Sequence, residues 1–447
     1  MTAFVVDPIT TPLAGSLVVP GDKSIGHRAL LFALLAHDPV RILGLGDGAD
    51  NGRSARAIAQ LGARVRRDGA AVIVEGPGLG GFVAPSASID CGNSGTTIRL
   101  LCGMVAGAPF ATTLHGDESL STRPMKRVAE PLGLMGAVIR GAARGADIVP
   151  PLVVGPAPGP LRAIDYVLPV ASAQVKTAVL LAALSADGAT SVTEPGPGRD
   201  HTERLLRYLG APITVDGARV TIDTRGWSRR LGGGDIVVPG DPSSSAFLLI
   251  ATILAGSGGV TIGNVGVNPT RSGFLDVLAA MGGTVSQTAT RDAGGEPVAD
   301  LVIAPGAAPG LRATTIGGDL TVRSLDEIPV LAVACACADG VSTIRDGDEL
   351  RVKESDRVAT TCAMLRAFGV EVEERPDGMV IQGRAGRRLR AAQVHAAGDH
   401  RIAMAAAVAA LVADGPSRID DADNVATSYP GFVAALQALG ATLRVEA

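Results

Sequence analysis

The sequence is poor in rings: eight Phe, three Tyr and one Trp make up 3% of its 447 residues. Nucleic-acid binding through base stacking has little to work with. A basic excess is also missing, since 40 Lys and Arg face 44 Asp and Glu for a net charge of -4. Any cationic cluster is therefore local and suits a small anion better than a nucleic acid. No apolar run reaches the roughly 18 to 20 residues that cross a bilayer, and the start "MTAFVVDPITTPLAG" lacks the basic and apolar regions of a signal peptide. The expected location is cytoplasmic, with no membrane partner. Five cysteines, at Cys91, Cys102, Cys335, Cys337 and Cys362, make no even disulfide framework. Cys335 and Cys337, inside "VLAVACACA", read as small buried hydrophobes rather than ligands, so no metal is assigned.

What is abundant is small. With 58 Gly, 28 Pro and 47% apolar residues, the chain has many tight turns and an ample core of Ala, Val, Leu and Ile. Six segments end on a large apolar residue, a Gly and a small residue before a strand: "QLGARV", "LMGAVI", "YLGAPI", "AMGGTV", "AFGVEV" and "ALGATL". Their glycines, Gly62, Gly136, Gly210, Gly282, Gly369 and Gly440, recur at about 72 residues with one longer gap, the mark of a repeated supersecondary unit. Each suits the left-handed residue that ends a helix. A polar turn leading into a nearly all-apolar helix recurs with the same rhythm, as in "PGDKSIGHRALLFALLA" and "PGDPSSSAFLLIATILA". A helix apolar all round lies inside, so three units pack into one domain with parallel inner helices, and six make two domains.

"VVPGD" occurs at Val18 to Asp22 and again at Val237 to Asp241, and these segments read as crossings between the domains. The predicted domains are 1–20 with 241–447, and 21–240, with hinges near 19–22 and 238–241. In the second copy Pro242, Ala246 and Phe247 stand where Lys23, His27 and Arg28 stand in the first, so the charges are additions to the scaffold. Helix N-termini already carry positive dipole ends, which hold phosphate or carboxylate. Lys23, Arg28, Arg99, Lys176, Arg199 and Arg401 lie at or near such starts, with Arg123, Lys353 and Arg357 in loops. Taken singly, each is more often a solvated charge; together they are unfavourable without multiply charged anionic ligands. Residue spacing alone stops at the binding of anionic small molecules.

The motifs "PGDKSIGHRA", "GNSGTTIRL", "GDESLSTRPM", "ASAQVKTA", "GRDHTE", "DEIPVLAVA", "RVKESDR" and "GDHRIAM" resemble, in order from about residue 18 to 430, the 5-enolpyruvylshikimate-3-phosphate synthase family. The resemblance implies an α/β (α+β) fold of two similar domains, each of three βαβαββ repeats around buried parallel helices, the inside-out barrel of enolpyruvyl transferases. It implies transfer of the enolpyruvyl group of phosphoenolpyruvate to the 5-hydroxyl of shikimate 3-phosphate, a step toward chorismate and the aromatic amino acids, with domain closure and no cofactor. Those two substrates are the implied partners, and the protein is expected to be a monomer. Carried over by motif, Lys23, Ser24, Arg28, Ser172, Ala173, Gln174, Arg199, Asp326 and Lys353 would hold shikimate 3-phosphate. Lys23, Gly95, Arg123, Gln174, Arg357 and Arg401 would surround phosphoenolpyruvate. Asp326 would accept the hydroxyl proton, Glu354 would move a proton at the methylene carbon, and Lys23 completes the catalytic set. Glu354, flanked by Lys353 and Arg357, is expected to stay ionised.

Two positions depart from the family pattern. Thr427, in "VATSYPGF", stands where many members carry a Lys, and Gly26 stands where Ser or Thr is common. Of two rival readings, a UDP-N-acetylglucosamine enolpyruvyl transferase would need a cysteine in the loop "GDESLSTRPMKR", which has none. A non-catalytic anion-binding repeat protein would be expected to have lost Asp326 or Glu354, and both are present. His27 has no assignment.

Overall fold

The computed structural model describes residues 2–196, 198–307 and 310–446. The chain divides into two compact units. A terminal unit comprises Met1–Pro20, Pro239–Asp292 and Pro297–Ala447, and an inserted unit comprises Gly21–Val238 with Ala293–Glu296. The second boundary between the units falls at 238/239. Val238 N–H donates to Leu43 O at 2.8 Å within the inserted unit, whereas Gly240 N–H donates to Asn264 O at 2.7 Å within the terminal unit. Residues 293–296 group with the inserted unit, where Gly295 O accepts from Arg204 and Glu296 meets His201.

Among the described residues there are six four-stranded sheets, three per unit, with one strand order throughout. In the sheet built from Ile89–Asp90, Thr112–His115, Asp147–Val154 and Ile139–Arg144, a parallel pair is followed by an antiparallel hairpin. Segments distant in sequence complete three sheets. Ala3–Val6 lies between Ser417–Asp420 and Leu443–Glu446, Leu13–Val18 pairs parallel with Ser257–Gly266, and Gly234–Val237 pairs parallel with Val40–Leu43. The six repeat glycines all have φ between 75° and 108°, so each ends a helix in the backbone region that a side chain disfavours.

Each unit holds its own hydrophobic core around three buried helices. These are Lys23–Leu35, Gly95–Met104 and Ala173–Ala183 in the inserted unit, and Pro242–Ala255, Ile328–Cys337 and His400–Leu411 in the terminal unit. The scarcity of rings allows close packing. A Cβ on Gly103 would fall 2.1 Å from Ala178 O, which means two buried helices touch backbone to backbone. Five of the six starts are capped by their own side chains: Asp22, Ser94, Ser172, Asp241 and Asp399 each accept a backbone N–H of the first turn. The Ile328–Cys337 helix starts at Glu327, which makes no such cap.

Candidate active site

In the inserted unit the starts of the three buried helices meet. Arg28 is 2% exposed and its bonds go to neutral oxygens: Thr202 Oγ1 at 2.8 Å, Thr177 Oγ1 at 3.1 Å and Ser24 O at 3.0 Å. Burial pulls its guanidinium down to about 10, against the opposing field of Glu203. An anion seated here would reverse that penalty. Arg199 donates to Ser24 Oγ at 3.3 Å, and Lys23 pairs with Asp50 at 3.2 Å. Arg99 donates to Gln174 Oε1 at 2.8 Å while Gln174 donates to Thr96 Oγ1 at 2.9 Å, which ties the Gly95–Met104 and Ala173–Ala183 helix starts together. Arg123 donates to Asn93 Oδ1 at 2.7 Å. A Cβ on Gly95 would lie 2.8 Å from Arg99 Nη1 and 3.1 Å from Arg123 Nη1, so glycine there keeps space beside two guanidinium groups.

Lys176 is the most completely neutralised of the expected cations described in this unit. It is 1% exposed and its Nζ lies 2.5 Å from both Glu194 Oε2 and Glu203 Oε1, so its charge is consumed inside the unit. The unassigned His27 links three helices: Nδ1 lies 2.8 Å from Ser54 Oγ and 3.4 Å from Thr97 Oγ1, and Nε2 lies 3.5 Å from Ser94 Oγ. Burial, then Lys23 and Arg28, pull the imidazole down to about 3, leaving a neutral structural hub. Gly26 is explained by packing, since a Cβ would meet Asn51 Nδ2 at 2.6 Å.

The terminal unit concentrates opposite charges around Arg357, which is 1% exposed. Its guanidinium contacts Asp399 at 2.8 and 3.2 Å, Glu354 Oε2 at 2.5 Å and Asp326 Oδ1 at 3.3 Å. Burial opposes the charge, but Asp399 and Glu354 outweigh it and raise Arg357 above its ordinary range. Arg401 donates to Asp326 O at 3.0 Å and lies 3.6 Å from Asp326 Oδ2. Two cations thus converge on Asp326 while Glu354 stands across the same guanidinium. Lys353 Nζ lies 3.7 Å from Glu349. The Thr427 hydroxyl donates to Asn424 O at 2.6 Å, and Asn424 Nδ2 donates to Gly398 O just before the His400–Leu411 helix.

Residue reading missed one buried cluster beside Asp326. Ser243 Oγ donates to Glu327 Oε1 and accepts from Arg271 at 2.9 Å, with Asp241 Oδ1 at 3.6 Å from the same guanidinium. Burial raises Glu327 above the usual carboxylate range, Arg271 opposing and Asp326 assisting. Its signal was available: Glu327 is an acidic residue at the threshold of an otherwise wholly apolar helix.

Six βαβαββ repeats with anion-ready helix starts define an enolpyruvyl transferase fold. The solved enolpyruvyl transferase NikO from Streptomyces tendae superposes with a TM-score of 0.78 over 100% of this chain and 99% of that one, at 19% identity. The chain belongs to the EPSP synthase (3-phosphoshikimate 1-carboxyvinyltransferase) family, whose model matches residues 8–436. Relatives of that name from Geobacter sulfurreducens and Gloeobacter violaceus are 48% identical over 95% of this chain and 96% of theirs, and 50% identical over 96% and 97%. A solved EPSP synthase from Acinetobacter baumannii is 36% identical over the whole of both chains, with a TM-score of 0.88.

Proposed function

We propose that the chain joins phosphoenolpyruvate to shikimate 3-phosphate, giving 5-enolpyruvylshikimate 3-phosphate and phosphate. The 5-hydroxyl oxygen bonds to C2 of phosphoenolpyruvate while C3 gains a proton and the hydroxyl loses one, which gives a tetrahedral intermediate. Loss of a C3 proton and cleavage of the C2–O bond to phosphate then restore the double bond. Asp326 accepts the hydroxyl proton, Glu354 moves the proton at C3, and Lys23 supports the phosphoenolpyruvate charge. Lys23, Ser24, Arg28, Ser172, Ala173, Gln174, Arg199, Asp326 and Lys353 hold shikimate 3-phosphate. Lys23, Gly95, Arg123, Gln174, Arg357 and Arg401 hold phosphoenolpyruvate.

The observation that carries this reading is the paired chemistry around Arg357: carboxylates for proton transfer lie against fixed cations that offset charge as it develops. Family membership supports it over a UDP-N-acetylglucosamine-using enzyme and over a non-catalytic scaffold. The same reading includes a monomer acting in the cytoplasm; the free thiols and the absence, among the described residues, of any helix long and apolar enough to cross a membrane are compatible with it. Phosphate release is measured with phosphoenolpyruvate and shikimate 3-phosphate, beside UDP-N-acetylglucosamine. Turnover with the first pair alone is expected, and its absence ends the proposal.

A further inference from the structure

The buried helices of the terminal unit also end together. Ile253, Leu254 and Ala255 from one, Cys337 from the second and Leu411 from the third line a cavity of about 700 Å³. This lies at the carbonyl ends of the helices whose N-terminal ends approach Asp326. Leu311 and Val412 extend its apolar floor, and Arg312, Arg387 and Arg388 line it against one carboxylate, Asp339.

The inserted unit supplies a control built on the same pattern. Leu389 bridges Ala413 as Leu231 bridges Ala36, and Arg312 bridges Asp339 as Arg162 bridges Asp187. With the two leucines in register, "WSRRL" from Trp227 matches "AGRRL" from Ala385. Trp227, the single tryptophan, packs against the inserted unit's core, whereas its counterpart Ala385 lines the open cavity. The loop residues that line the cavity, 9–12, 310–312 and 385–388, include no aromatic ring. The position that carries an indole in one unit thus carries only a methyl, at the edge of the cavity, in the other.

Backbone N–H groups meet much of the negative charge at the helix ends. Ile9 N–H donates to Leu411 O at 2.8 Å, Gly386 N–H to Cys337 O at 3.0 Å, and Leu13 N–H to Gly256 O at 3.0 Å. Arg388 caps Ala413 O at 2.9 Å, but Arg387 commits one N–H to Arg384 O. The cavity volume falls within the ~300 to 1,000 Å³ of small-molecule pockets, and guanidinium forks match planar anionic groups.

We propose that this cavity binds a small amphipathic anion, with an aromatic or branched apolar body in the space left by Ala385 and a carboxylate or sulfonate on Arg312 and Arg387. The probe is 8-anilinonaphthalene-1-sulfonate, titrated by fluorescence against the folded full chain, with 4-phenylbutyrate as a carboxylate competitor. Saturable one-to-one binding is expected, displaced by the competitor. Leu254→Trp, which fills the cavity, and the double variant Arg312→Ala/Arg387→Ala should each weaken binding about tenfold or more while phosphate release stays at the parent level. Should Leu254→Trp fail to fold, as judged by thermal melting, the arginine variant decides alone. No saturable signal overturns the proposal, as does dye bound with parental affinity by the arginine variant. Because the readout is binding, its failure is separate from any failure of the enolpyruvyl-transfer reading.

Discussion

The two units place charge on one scaffold in opposite ways. At the start of the Lys23–Leu35 helix, Asp22 caps the turn and Arg28 is buried on hydroxyls and a carbonyl, all neutral partners. At the corresponding start in the terminal unit, Asp241 caps the turn, and the position of Arg28 is taken by Phe247, buried edge-on to Phe432 at 6.1 Å. The terminal unit's own buried cation, Arg357, is met by three carboxylates. One unit therefore holds a buried cation, Arg28, whose hydrogen-bond partners are all neutral. The other surrounds its cation Arg357 with carboxylates of its own. This division suits a reaction that needs both anion capture and proton transfer.

The comparison breaks most sharply at the two carboxylates proposed to move protons. Asp326→Asn and Glu354→Gln should each lower kcat by about 10²- to 10⁴-fold. If steady-state phosphate release kept both within about threefold of the parent, under 1 kcal/mol of barrier, neither role would stand.

The two buried arginines should respond differently to the same change. Arg357→Met strands Asp399, Glu354 and Asp326 without their shared cation and should cost about 3 to 5 kcal/mol of stability by denaturant titration. Arg28→Met removes a buried cation held by neutral groups, so stability should stay within about 1 kcal/mol or rise. Its KM for shikimate 3-phosphate should increase at least about thirtyfold, from a lost charge-assisted contact of ~2 kcal/mol or more. Equal losses of stability in the two variants would erase the distinction.

Gly95→Ala is a milder probe of the inserted unit. The new methyl presses on the flexible ends of Arg99 and Arg123, so the fold should survive while KM for phosphoenolpyruvate rises about tenfold, ~1.4 kcal/mol. An unchanged KM would show that those guanidinium groups do not border that substrate. A pH dependence tests the buried hub of the same unit. His27 is held near 3 when folded and titrates near 6.5 when unfolded, so its contribution is complete above about pH 6.5 and is lost as pH falls toward 3. The slope is at most about 1.4 kcal/mol per pH unit, and His27→Gln should flatten the acid limb of stability measured by denaturant titration.

Much of this molecule follows from local sequence. The repeat period, the six helix-ending glycines and the polar starts of apolar helices are properties of short segments, because φ preference, capping and burial periodicity act within a few residues. The excess of cations at those starts likewise pointed to anionic ligands without any knowledge of contacts. Tertiary structure alone decided which cations are already spent. Lys176 reads like Arg28 in sequence, yet Glu194 and Glu203 neutralise it, while Arg28 reaches Thr202, 174 residues away, and bonds only to neutral hydroxyl and carbonyl oxygens. It also decided that Glu327 is tied to Ser243 and that Ala385 lines a cavity while Trp227 packs on the other unit's core. Charge pairing and cavity volume depend on which distant segments share a few ångströms, and spacing along a chain does not specify that.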